Sequence, residues 1–551
     1  MPQPNENQSG GLLRSSASGT TLLIIIQLTS RLITFAANQL ILRKLSPAIL
    51  GIAAQLELYL ATILYFSREC IRIAIQRQPL KAVAGDRKNS GGDSNGKVWT
   101  EDSIASQSVV NVSYLGLGLG IPLATTITVF YIRFTPERVS ETPYYLTGVA
   151  ITGAASLLEL GIEPFFAVVQ QHLLYKKRAV VEMSAAFIKS LAVCGTFIWA
   201  SKAGIDVGVL PFALGHLFHA IVLICGYIVT MLDMAREVGF SFLLTRIQSR
   251  YATTKTEVRT ALTVCSNQSR YLAGRFSYQL VSLSANVFLQ SAVKHLLTQG
   301  DSMILAAMST LEDQGIYSLA SNYGGLVARI IFQPTEESSR TLFSSLLSPG
   351  EGITPDPGSI NIAKSHMVDI LRAYGLLSVI IFPLAPSLVP QILHRLGGHR
   401  WNSTEVDQLL TMYCYYIPFL AFNGITEAFV SSAASPSELR KQTGWMGTFS
   451  ASFVLAAYAF LKVGDMGAQG LVWANIVNMV VRTTWSYLFI NSYLRRHQNG
   501  LYLAEIGPRL HTQIAGTIAT SVVLSKSGGF NDNPQSITRV IAFNAAYILF
   551  V

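Results

Sequence analysis

Long apolar runs separated by short polar stretches recur along the chain from Thr20 to Val551. A helix needs about 20 mostly apolar residues to cross a hydrocarbon core of about 30 Å, so each run predicts a membrane-crossing helix. The predicted spans are 20–42, 48–66, 108–132, 144–169, 180–201, 207–232, 276–298, 302–333, 366–393, 407–432, 443–462, 467–491, 510–525 and 537–551, about fourteen in all. The polar stretch 1–19 reads as a tail, and the first apolar run is long enough to stay as a spanning helix rather than leave as a signal peptide. Three connections are long: 76–107, 233–275 and 338–365. GDRKNSGGDSNGK at 85–97 has the composition of a disordered loop, and SPGEGITPDPGS at 348–359 that of a Pro and Gly linker.

Composition agrees with a bilayer as the main solvent. Half of the 551 residues are apolar and 13% are charged, about half the charge of a soluble domain, and mean hydropathy is +0.39. A net charge of +10 would suggest nucleic acid in a soluble protein, but here Lys and Arg sit in short loops and at helix ends. There they signal orientation and attract anionic headgroups, with no nucleic-acid partner implied. Loops after even-numbered spans hold about twice the Lys and Arg of the others, which places both termini in the cytoplasm. The five cysteines, Cys70, Cys194, Cys225, Cys265 and Cys414, are isolated, which argues against a disulfide framework or zinc site. Of the sequons at Asn7, Asn111, Asn267 and Asn402, only the last falls in a predicted non-cytoplasmic loop.

Shifting the chain against itself by about 263 residues lays QLTSRLITFAANQLILRKLS at 27–46 over QSAVKHLLTQGDSMILAAMS at 290–309. Gln27 meets Gln290, Arg31 meets Lys294 and Asn38 meets Asp301; after one inserted residue, Gly51-Ile52 meets Gly315-Ile316. Helices one to six thus pair with seven to twelve. An even number per half makes the copies parallel, and transporters built this way place the substrate path between halves. The predicted organisation is a six-helix bundle over 20–232, a cytoplasmic linker over 233–275, a second bundle over 276–491 and two extra helices over 492–551.

Gln27, Arg31, Thr34 and Asn38 form one polar stripe at helical spacing on the first helix, and Asn286, Gln290 and Lys294 do so on the seventh. A cation inside a membrane helix costs several kcal/mol unless it faces a partner or a watery cavity. Arg31 and Lys294 therefore suit an anionic substrate such as a diphosphate, which the Arg fork can hold by two oxygens. Alternatively, an internal carboxylate such as Glu57 or Glu159 neutralises each and merely ties helices together.

FSREC at 66–70 with Arg72 ends the second helix, and FQPTEES at 332–338 with Arg340 ends the eighth. Arg68, Glu69, Arg72 and Glu336 can form a gate whose ion pairs open and close, or ordinary interfacial anchors. Glu159 and Glu163 precede Pro164 in the fourth helix, and Glu427 is their repeat counterpart in the tenth. They read as a proton or cation site, or as buried acids kept neutral or paired with Arg. His172, His216, His219 and His295 are scattered and read as structural. No Walker loop, dinucleotide fingerprint, GxSxG elbow or acidic metal cluster is present, so neither an enzyme nor a cofactor is expected.

RLITFAANQLILRKLSPAILGIAAQLELYLATILYFSRECIRIAIQR at 31–77 resembles the Rft family of oligosaccharide-lipid translocation proteins of the endoplasmic reticulum. LLELGIEPFFAVVQ at 157–170, VKHLLTQGDSMIL at 293–305, YSLASNYGGLVARIIFQPTEESSR at 317–340 and NGITEAF at 423–429 extend the resemblance along nearly the whole chain. It implies the fold of the multidrug, oligosaccharidyl-lipid and polysaccharide exporter superfamily, in the endoplasmic reticulum membrane. It also implies a part in N-glycosylation, where dolichol-diphosphate carrying five mannoses and two N-acetylglucosamines passes to the lumenal leaflet. Under that reading Arg31 and Lys294 contact the diphosphate, and Gln27, Asn38 and Gln290 donate hydrogen bonds. The competing readings are a non-transporting accessory in the same pathway and a cation-coupled exporter of small molecules.

Overall fold

Several helices run past the apolar stretches that predicted them, because polar residues at the ends of those stretches find partners within the protein. This computed structural model describes residues 45–76, 101–172, 174–247, 271–347, 356–397, 403–497 and 500–507, with 39, 41, 42, 401, 512, 514, 516 and 518 as single positions. The described residues group into two units: Gln55–Gly300 in the first, Leu42–Ala54 and Asp301 onward in the second. Among them, seven helices are long and apolar enough to cross a bilayer. The expected span 537–551, and most of 510–525 and of 20–42, lie outside the described residues.

The first unit draws on α1 (Pro47–Gln76), α2 (Glu101–Phe134), α3 (Glu137–Ser140), α4 (Tyr145–Leu160), α5 (Glu163–Gln171), α6 (Tyr175–Ala203), α7 (Leu210–Val238) and the first part of α8 (Tyr278–Met308). A short antiparallel hairpin, β1 (Tyr271–Leu272) and β2 (Phe276–Ser277), precedes α8. The span expected over 144–169 is present as one candidate crossing, Tyr145–Gln171, broken into α4 and α5 at Gly161-Ile162. Pro164 lacks the N–H that would continue the ladder, and it sits at the start of α5, where none is needed.

Part of the expected linker 233–275 is built against α2. Ser103, Gln107, Asn111 and Tyr114 share one face of that helix. Ser103 donates to the Gly239 carbonyl at 3.0 Å, Gln107 to that of Leu243 at 3.1 Å and Tyr114 to that of Phe242 at 2.8 Å. The Asn111 amide donates to the carbonyls of Thr245 and Arg275 at 2.7 and 2.8 Å. This sequon side chain is fully buried and committed to the fold.

The second unit contains the end of α8, α9 (Leu311–Val327), α10 (Gln333–Leu347), α11 (Pro357–Gly397), α12 (Thr404–Ala433), α13 (Pro436–Tyr458), α14 (Gly467–Arg496) and α15 (Leu503–Ile506). π-helical turns at Ala328–Phe332 and Ala459–Val463 follow α9 and α13. The break expected around Gly300 falls instead at Ser309-Thr310. There Thr310 and Asp313 form a reciprocal capping box, which satisfies the first backbone N–H groups of α9. The Pro and Gly linker is shorter than expected, since α10 runs to Leu347 and α11 begins at Pro357. Trp401 is fully buried, and its indole N–H donates to the Leu42 carbonyl at 3.0 Å.

Within this unit the start of α1 crosses the start of α9 at two glycines. A Cβ on Gly51 would lie 2.0 Å from the Leu311 carbonyl oxygen, and one on Gly315 1.8 Å from that of Pro47. Each glycine rests on the carbonyl four residues before the other. The two are the repeat pair aligned in the sequence, so the crossing is internally two-fold. Only hydrogen in place of a side chain allows such an approach.

Candidate functional site

In the first unit, a polar cluster gathers around the break between α4 and α5. Arg68 and Arg72 are one turn apart on α1 and face the same way. Arg68 donates to Glu159 at 3.0 Å and to Glu163 at 3.2 Å. Arg72 holds Glu163 with two donors, its Nε lying 3.0 Å from Oε2 and Nη2 reaching Oε1. The Glu163 side chain is 3% exposed and that of Glu159 9%, against 17% and 21% for the two arginines. Arg72 also stacks on the Phe166 ring at 3.7 Å, and its carbonyl accepts from Gln170 at 3.3 Å. From α7, His219 brings Nδ1 to 3.6 Å from Glu159. Lys189 of α6 lies 3.7 Å from Glu57 of α1.

The fixed charges of this cluster cancel, with Glu57, Glu159 and Glu163 against Arg68, Arg72 and Lys189. It therefore carries no surplus positive charge for a diphosphate. It ties α1, α4, α5 and α7 together at the point where a backbone ladder is interrupted. Removing one partner of a buried ion pair typically costs about 3–5 kcal/mol, because the other charge stays behind unpaired.

The second unit has a smaller equivalent. Glu427 on α12 accepts from Arg482 of α14 at 2.7 Å and from Asn423 at 3.2 Å. Glu336 on α10 pairs with Arg340 at 2.8 Å and packs on Gly424, where a Cβ would lie 2.9 Å from its Oε2. A shift of 268 residues takes Glu159 to Glu427, and one of 263 takes His219 to Arg482. Each unit thus sets one carboxylate of its fourth repeat helix against a basic side chain of its sixth. In the first unit that base is a histidine and in the second a permanent cation. Asp301, the repeat counterpart of Asn38, accepts from Tyr317 at 3.1 Å, and Tyr317 accepts from Asn475 at 3.0 Å.

Of the residues selected from sequence, Arg68, Arg72 and Glu159 meet in one cluster, while Glu336 and Glu427 belong to the second. Glu69 is half-buried on α1 beside them. Gln27, Arg31 and Asn38 lie outside the described residues, as do the side chains of Gln290 and Lys294 on α8. Sequence reasoning missed Arg482, although a lone cation amid VVRTTW is the same signal that singled out Arg31. The repeat also maps His219, read from sequence as structural, onto Arg482.

Residues 15–551 match the family model described as Rft protein. A curated Man(5)GlcNAc(2)-PP-dolichol translocation protein of Yarrowia lipolytica is 33% identical over 90% of this chain and 72% of its own length. Its Saccharomyces cerevisiae namesake is 32% identical over 88% of this chain and 84% of its own, and that of Mus musculus 29% over 88% and 83%. Among solved structures, the lipid II flippase MurJ in an inward closed conformation matches with a TM-score of 0.60, 12% identity and coverage of 96% of this chain and 97% of its own. An inward-facing multidrug resistance MATE family transporter of the MOP superfamily matches at 0.52, with 12% identity and coverage of 84% and 96%. These likenesses show the fold.

Proposed function

The chain belongs to the Rft protein family, and on that premise we propose that it translocates Man5GlcNAc2-PP-dolichol from the cytoplasmic to the lumenal leaflet of the endoplasmic reticulum membrane for N-glycosylation. The observation that carries this reading is the identity to relatives of that name along almost the whole chain. The protein is a carrier rather than an enzyme, and it works by alternating access between parallel halves at 20–232 and 276–491. Both termini face the cytoplasm, as the distribution of Lys and Arg supports.

Arg31 and Lys294 bind the diphosphate, with Gln27, Asn38 and Gln290 as hydrogen-bond donors. The charge balance around Arg68, Arg72 and Glu159 supports a different role for that cluster. With Glu69, Glu336 and Glu427 it acts as a gate, holding helix ends in place and exchanging partners as access alternates.

Reconstitution of the purified chain in liposomes tests the reading. ATP-independent passage of the authentic lipid between leaflets is expected, lost in Arg31→Ala at normal protein level. Lipid binding with unchanged leaflet exchange makes the protein an accessory instead.

A further inference from the structure

Away from both clusters, α13 and α14 of the second unit enclose a groove of about 620 Å³, within the range of roughly 300–1,000 Å³ that small-molecule sites occupy. Its floor is aromatic. Trp445 and Phe449 stack one turn apart on α13, with ring centroids 6.4 Å apart, and Trp485 and Phe489 do the same on α14 at 5.9 Å. Phe449 meets Trp485 edge-on at 6.1 Å and joins the two pairs into one surface. Flat rings locked against each other make a preformed trench that lies open along its length: Trp445 is 48% exposed and Leu488, on its rim, 57%.

One end of the trench is charged. Lys441 and Arg496 line it, together with Glu438. Arg496 donates to Glu438 at 2.9 Å, and Glu438 also closes the capping box of α13 with Ser435. The carboxylate is thereby committed and fixes the guanidinium in place, while Lys441 is exposed. Two cations against one carboxylate leave this end with a net positive charge. The apolar stretch of α13 expected to cross the membrane begins at about 443, after Glu438 and Lys441. The charged end therefore lies outside the hydrocarbon, Trp445 lies at its boundary, and the rest of the floor lies within it. Polar head, amphipathic boundary and apolar trench follow in the order of a membrane lipid.

We propose that this groove is a binding site for an anionic phospholipid, its phosphate at Lys441 and Arg496 and one acyl chain along the aromatic floor. Charge complementarity selects the ligand: the net positive end favours a singly charged phosphodiester over a zwitterionic headgroup. The site requires only that α13 and α14 cross the membrane, and it stands whether or not the protein translocates a glycolipid.

The test uses the full chain in phosphatidylcholine vesicles titrated with acyl-brominated phosphatidylglycerol or acyl-brominated phosphatidylcholine. Bromine quenches tryptophan at contact, and Trp445→Phe with Trp485→Phe isolates the signal of the groove. The groove signal is expected to show about a fivefold preference for phosphatidylglycerol, roughly the effect of one basic side chain at a membrane surface. Lys441→Gln, which leaves the Arg496 to Glu438 pair intact, should abolish the preference while quenching by phosphatidylcholine persists. Equal affinities for the two lipids in the unaltered chain, or a preference that survives both Lys441→Gln and Lys441→Gln with Arg496→Gln, overturns the proposal. Unlabelled dolichyl phosphate displacing the brominated lipid better than unlabelled phosphatidylglycerol also overturns it.

Discussion

The glycine crossing of the second unit gives a sharp energetic test. In Gly315→Ala the new methyl would lie 1.8 Å from the Pro47 carbonyl oxygen, and real Cβ contacts essentially never fall below 3.0 Å. The obstacle is backbone on a helix, so no rotamer change relieves it and the two helices must part by more than an ångström. Overpacking of this kind costs about 1–3 kcal/mol, and here the upper end applies because the clash is with main chain. At about 2–4 °C per kcal/mol for a unit of this size, an apparent Tm lowered by roughly 6–12 °C is expected. Gly51→Ala should do the same, since its Cβ would meet the Leu311 carbonyl oxygen at 2.0 Å. The double variant separates this mechanism from a general loss of stability. One parting of the helices accommodates both methyls, so the pair should cost little more than either alone, a coupling of about 2–3 kcal/mol. Intrinsic-fluorescence melting of the four proteins in one detergent measures the cycle. A Gly315→Ala protein melting within a degree of wild type, or two single effects that simply add, would refute the reasoning.

Glu163→Gln leaves two arginines facing one remaining carboxylate and should destabilise the first unit by about 3–5 kcal/mol, seen as a lower melting temperature that Arg72→Met in the same chain partly restores. Arg482→Gln should likewise be offset in part by Glu427→Gln, because the half-buried acid is neutralised together with its partner; thermal unfolding of the set decides. Asn111→Leu removes the anchors of Thr245 and Arg275, and hydrogen exchange across 240–247 should quicken while α6 stays protected; no glycan is expected on Asn111 by peptide mass spectrometry. Burial alone would raise the Glu438 carboxyl, but the Ser435 backbone N–H and the Arg496 guanidinium hold it below its ordinary value. Because the folded value is depressed, its contribution to the α13 cap is complete above the unfolded carboxylate pKa and is lost as pH falls through the lower folded value. Arg496→Gln, which removes the guanidinium and leaves the backbone donor, should flatten part of that acid limb in a pH series of melting curves.

Much of the fold was legible because a bilayer imposes a simple rule on sequence. An apolar run of sufficient length must be a helix, whatever surrounds it, since the backbone has no other way to satisfy its hydrogen bonds in hydrocarbon. The spans around α2, α6, α7, α11 and α13 were accordingly found from composition. Helix ends were not, and the cases differ in cause. α1 continues through FSREC to Gln76 because Arg68 and Arg72 reach carboxylates about 90 positions further along the chain, a contact no local window contains. α8 passes through Gln299-Gly300-Asp301, a turn-like triplet, because Asp301 is satisfied by Tyr317.

The candidate site divides in the same way. Charged residues inside apolar helices mark themselves, so Arg68, Arg72, Glu159 and Glu427 could be selected from sequence. Their partners could not: His219, Lys189 and Arg482 become part of a site only where other helices carry a carboxylate to within hydrogen-bond or ion-pair range. By itself the sequence determined that this is a polytopic helical membrane protein with a family likeness, because hydropathy and periodicity are properties of single segments. Tertiary structure alone decided which charges neutralise one another, which glycines touch and where an aromatic groove meets a basic end. Those are properties of pairs, set by packing between segments far apart in the chain.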